Sequence, residues 1–201
     1  MTGVVLAGGR SRRLGRDKAF EGLGGESLLE RAVRSLAGLA GVVVVVGQKS
    51  APAPDVRRLG ARVVEDIYPG KGPLGGIHSG LVASTTPYVL VVGCDMPFLN
   101  RGLLGYLLGL RSGFDAVVPR VSGKPEPLHA VYSKACLPVV ERQLREDKPA
   151  VHVLLEELRV RYVEQDKVER FDPQHLSFFN VNSAADMEKA RELVRRQQAV
   201  A

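Results

Sequence analysis

Cysteine is scarce in this sequence: Cys94 and Cys136 are the only two, far apart and outside any C-x-x-C spacing. That argues against a disulfide framework and a zinc knuckle, and leaves two reduced, partly buried thiols as the expectation. Long apolar runs are missing as well. No stretch approaches the ~18 residues of a membrane-spanning helix. Val4 to Ala7 is too short for the apolar region of a secretory signal, and the basic cluster follows it instead of preceding it. A cytoplasmic protein with no membrane partner is expected. Aromatic residues make up 5% of the chain. With no recognition motif in sight, nucleic acid is not the expected partner either, although the net charge of +6 calls for some anionic ligand. His129, His152 and His175 show no H-E-x-x-H or related spacing, so a zinc site is not expected.

What the sequence does contain is a core. Its 201 residues, 45% of them hydrophobic, suit a single domain over residues 1–201. Val42 to Val46 is continuously apolar and β-branched, as a strand covered on both faces must be, and Tyr88 to Val92 and Ala116 to Val118 read alike. Helices are expected over Ser27 to Leu36, Leu74 to Ser84 and Arg101 to Leu110. The alternation is that of an α/β fold with a mostly parallel sheet. Further along, a strand is expected near Leu128 to Tyr132 and helices over Lys134 to Glu146 and Ala150 to Glu157. Another strand is expected around Arg159 to Glu164, and an excursion over the sheet from Pro119 to Pro127. Ser183 and Asp186 have the spacing of a capping box that opens a last helix running toward Arg195.

The first strand ends at Leu6 and feeds directly into Gly8 and Gly9, whose backbone N–H groups are unobstructed by Cβ atoms. Arg10, Arg12, Arg13, Arg16 and Lys18 follow, with only Asp17 among them to relieve the mutual repulsion. A phosphate chain would relieve it better than solvent. The loop is not a Walker A sequence, because five residues separate Gly9 from Gly15 and Arg16-Asp17 stands where Lys-Ser/Thr is required. Gly70-Lys-Gly-Pro-Leu-Gly75 is a literal G-x-G-x-x-G. However, Asp66 to Pro69 separates it from the preceding strand and Pro73 lacks an N–H, which places a dinucleotide-dependent oxidoreductase well behind. Gly76-Ile-His-Ser-Gly80 misses the hydrolase elbow by one position, and His78 and Ser79 read as ordinary helix residues.

The stretch LAGGRSRRLGRDKA resembles the nucleotide-binding segment of nucleotidyltransferases, and within them it is most similar to the molybdenum cofactor guanylyltransferase (MobA) family. The likeness continues in order through Glu65-Asp66, Gly72 to Gly76, Cys94 to Pro97, Pro127 to Tyr132 and Phe179 to Asn182. It implies a three-layer Rossmann-like nucleotidyltransferase fold that moves GMP from GTP to the phosphate of molybdopterin, with release of pyrophosphate. On the resemblance, Arg13 and Lys18 are catalytic, masking triphosphate charge. Leu6, Ala7, Gly8 and Gly9 hold base and phosphates, while Arg10, Arg12 and Arg16 steer anions inward. Asp95, at the end of a buried strand where open α/β sheets bind ligands, is implied as the catalytic Mg²⁺ ligand. Asp66, Gly75 and Gly76 are implied to meet the nucleotide, and Asn180, Asn182 and His129 the pterin. On a strand, Asn180 and Asn182 would share a face, although capping of the last helix would also account for an asparagine there. One departure is Gln48, where the family often carries a nucleotide-contacting asparagine. The alternatives are transfer of CMP, transfer to another phosphate acceptor, or a non-catalytic nucleotide-binding adaptor. Molybdenum-insertion proteins and client molybdoenzymes are the protein partners that the resemblance implies.

Overall fold

The computed structural model describes residues 1–7, 19, 21–46, 54–146 and 150–200. The basic loop, with Gly8, Gly9, Arg13 and Lys18, lies outside the described residues, as does Gln48. The central sheet is built from β1 (Thr2–Leu6), β4 (Gly41–Val46), β5 (Arg62–Glu65), β6 (Tyr88–Gly93), β7 (Ala116–Val121), β9 (His129–Ser133) and β10 (Val160–Val163). Their order is β10-β7-β9-β6-β1-β4-β5. β9 alone runs against its neighbours β6 and β7; the β1–β4, β1–β6, β4–β5 and β7–β10 pairs are parallel.

The apolar runs of β6 and β7 are buried on both faces because helices cover both. Val5, Leu90, Val92, Val117 and Val131 pack with α1 (Leu28–Leu36) and α4 (Arg101–Gly109). The alternate residues Val4, Val89, Val91, Val118 and Tyr132 pack with α3 (Gly72–Ala83), α5 (Leu137–Arg145) and α6 (Val151–Glu157). The three layers follow from period-2 alternation in strands that are apolar at every position. A smaller cluster joins a short hairpin, β2 (Gly22–Leu23) and β3 (Glu26–Ser27), to α8 (Ala184–Val200) through Leu23, Leu28, Val181, Met187 and Val194.

Helix starts follow the local chemistry. Ser27 caps α1 in a full capping box with Glu30. At α8, Ser183 Oγ accepts the Asp186 N–H at 3.2 Å, while the Asp186 carboxylate accepts the N–H of Asn182, one residue ahead of the usual position. Three expectations change. The Pro119 to Pro127 excursion is a hairpin: β7 runs on to Val121, turns at Ser122 and Gly123, both with positive φ, and pairs with β8 (Lys124–Pro125). The helix expected from Lys134 begins as a 3₁₀ turn and becomes α-helical at Leu137, where Pro138 suits a first turn. α3 starts at Gly72, two residues early. The remaining helices are α2 (Pro54–Arg58) and α7 (Gln165–Val168). Among the described residues no helix is long and apolar enough to cross a membrane.

Candidate active site

The carboxyl ends of β1, β5 and β6 and the amino end of β9 meet along one edge of the sheet. Beyond Leu6 and Gly93 the pairing of β1 with β6 continues, since the Cys94 N–H donates to the Leu6 carbonyl at 3.1 Å. Asp95 follows, half-buried. Its carboxylate folds back over the strand end: a Cβ on Gly93 would lie 2.5 Å from Asp95 Oδ1. Glycine at 93 therefore makes room for the carboxylate itself. Ala7, beside it, is buried.

Asp66 follows β5 and is locked into the start of α3. Its Oδ1 accepts the Tyr68 N–H and the Ser79 hydroxyl, each at 3.0 Å. Gly75 lies under this turn, where a Cβ would stand 2.7 Å from the Tyr68 carbonyl and 3.2 Å from Asp66 Oδ1. Gly76 lies against Leu6, which a Cβ would approach to 2.9 Å. Lys71, at the N-cap of α3, makes no side-chain capping bond, and Pro73 in the first turn has no N–H that would need one.

The segment after Phe178 crosses to Asp95. The Val181 N–H donates to the Asp95 carbonyl at 2.9 Å, and the Val181 side chain is fully buried. Asn180 and Asn182 flank this anchor, one half-buried and one exposed. The segment is not a strand, contrary to the expectation for this pair; one backbone bond and one buried valine fix it instead. Asn180 Nδ2 donates to the Phe178 carbonyl at 3.0 Å. Capping of α8 falls to Ser183 and Asp186.

His129 pairs with Val92 at this edge but is fully buried, its ring centroid 5.0 Å from that of Phe178. Neither ring nitrogen has a hydrogen-bond partner among the described residues. Burial pushes its pKa down to about 4, with the nearby Asp172 carboxylate pulling the other way. The imidazole is thus neutral and fully enclosed. Ser79 proves not to be an ordinary helix residue. The signal was available, since Ser79 stands one helical turn after Gly75, but its tie to Asp66 spans a loop that sequence spacing does not fold.

A three-layer α/β sandwich with two carboxylates and a glycine-rich helix start on the carboxyl edge of its sheet is the arrangement of a nucleotide-handling protein. Residues 3–163 match the MobA-like NTP transferase domain, and the chain belongs to that family. It is 40% identical over 190 residues to the "Probable molybdenum cofactor guanylyltransferase" of Pelotomaculum thermopropionicum, covering 94% of this chain and 91% of that protein. It is 33% identical over 197 residues to the molybdenum cofactor guanylyltransferase of Desulfosudis oleivorans, covering 97% and 96%. Among solved structures it resembles the molybdopterin-guanine dinucleotide biosynthesis protein A of Archaeoglobus fulgidus, with a TM-score of 0.82, 30% identity and coverage of 98% and 100%.

Proposed function

We propose that the protein transfers GMP from GTP to the terminal phosphate of molybdopterin. A phosphate oxygen of the pterin attacks the α-phosphorus, the α–β bridging bond breaks, and pyrophosphate leaves with the electron pair. No general base is needed, because the attacking phosphate is already ionised. The observation that carries this reading is the bond from Val181 N–H to the Asp95 carbonyl, which brings the Asn180 and Asn182 segment to the strand end that bears Asp95. A nucleotide side and an acceptor side then adjoin at one carboxylate.

Asp66, with Gly75 beneath it and Gly76 against Leu6, accepts donors from base or ribose. On this reading Leu6, Ala7, Gly8 and Gly9 hold the base and phosphates, and Arg13 and Lys18 neutralise the triphosphate. Asn180 and Asn182 offer amides to the pterin or its phosphate. Asp95 is a hard oxygen donor suited to Mg²⁺, which commonly takes one or two protein carboxylates and completes its shell with phosphate oxygens and water. The ion, when bound, supplies charge neutralisation at the phosphates.

Calorimetric titration of the purified protein with GTP, CTP, ATP and UTP in Mg²⁺, followed by pyrophosphate release with the pterin substrate, tests the reading. GTP is expected to bind best, Asp95→Ala to abolish turnover, and Lys18→Ala to lower it roughly 10²–10³-fold, as for loss of one preorganised charge. A preference for CTP would move the protein to cytidylyl transfer. Nucleotide binding without pyrophosphate release from any acceptor would make it an adaptor.

A further inference from the structure

We propose that Ser79, buried inside α3, is a positioning residue for the Asp66 carboxylate and so sets the affinity for the nucleotide; this rests on the reading of Asp66 given above. Ser79 is 1% exposed. Its hydroxyl stands 3.0 Å from Asp66 Oδ1 and 2.9 Å from the Gly75 carbonyl, and it accepts the Ile67 N–H at 2.8 Å. One hydroxyl therefore ties together the carboxylate, the backbone of the next residue and the first turn of the helix. The Tyr68 N–H adds a second bond to the same oxygen. Both protein bonds to the carboxylate, among the described residues, fall on Oδ1, so the plane of the group is fixed and Oδ2 is the oxygen left for a ligand's N–H or O–H donor. The absence of a side chain at Gly75 lets the turn sit this close.

A purely structural serine would affect stability and nothing specific to Asp66. The test is therefore a double-mutant cycle on the Kd for GTP in Mg²⁺, read by calorimetry on the full chain. Ser79→Ala is expected to weaken GTP binding roughly tenfold in the wild-type background, as for loss of a hydrogen bond to a charged group. It should have almost no further effect in an Asp66→Ala background. Ser79→Cys keeps a weak donor at the same place and should fall between the two; it carries the same cycle if the alanine variant fails to fold. Unchanged GTP affinity in Ser79→Ala, or an equal loss in both backgrounds, overturns the proposal. Wild-type affinity in Asp66→Ala alone is a different failure: the carboxylate then makes no contact with the nucleotide, and the reading of the site falls before Ser79 is reached.

Discussion

Each of the two edge carboxylates is placed by a glycine. At Gly93 the nearest atom to a hypothetical Cβ is Asp95 Oδ1 at 2.5 Å, so a methyl group there would push the carboxylate away from the strand end. The backbone of β6 is held on both sides by pairing with β1 and β9, so the short side chain must yield first. A displacement on the order of 1 Å costs about 10²-fold in rate where a group must meet its partners in a fixed geometry. Gly93→Ala is accordingly expected to lower kcat by about 10²-fold with a melting temperature near that of the wild type. Steady-state pyrophosphate release together with a thermal melt decides it. Wild-type turnover would mean that the reaction does not depend on where the Asp95 carboxylate sits.

At the scale of elements, α3 lies almost directly on β1. Cβ atoms at Gly76 and Gly80, one turn apart, would meet Leu6 at 2.9 Å and Val4 at 2.5 Å. Val4 is fully buried and β-branched, so it has little freedom to move aside. Gly80→Ala should therefore destabilise by about 2 kcal/mol, because overpacking outweighs the gain of up to about 1 kcal/mol in helix propensity. Gly105, in α4, has open space where its Cβ would stand, and Gly105→Ala should stabilise by about 0.5–1 kcal/mol. Urea denaturation of the two variants tests the sign of each effect. This contrast marks what could be read from the sequence. Strands buried on both faces announce themselves as unbroken apolar runs, and β6 and β7 were legible for that reason, as was the Ser183 and Asp186 start of α8. Asp95 was legible because it follows such a run; Asp66 follows β5, which has only two apolar residues between Arg62 and Glu65, and it stood out only through the resemblance. The two-residue strands β2, β3 and β8 carry no periodicity to detect. Asn180 and Asn182 looked like strand residues because alternating burial does not require a ladder; here a single bond from Val181 does the work. Whether a helical glycine is needed for packing depends on the strand beneath it, which composition does not name.

For the whole molecule the consequence lies in its pH dependence. In the folded state His129 is neutral, with its pKa pushed down to about 4 by burial, whereas in the unfolded chain it titrates near 6.5. Between these values the unfolded chain binds the extra proton, so stability is fully present above about 6.5 and is lost as the pH falls toward 4. From pH 7 to 5 the loss is about 2 kcal/mol, an appreciable part of the 5–15 kcal/mol typical of a domain. Glu126, whose carboxyl is raised by burial, acts in the opposite sense, because its folded form takes up a proton more readily than the unfolded chain. Glu157, Asp166 and Asp186 are held low by hydrogen bonds, and they give up their contribution only below the ordinary carboxylate range. The growing positive charge on a chain already at +6 adds repulsion at low pH. All of these remain in a His129→Leu variant, so comparing its urea denaturation with that of the wild type at pH 7 and pH 5 isolates the imidazole. The wild type should lose about 2 kcal/mol more than the variant across that interval. Equal losses would mean that His129 takes up its proton inside the folded protein as readily as in the unfolded chain.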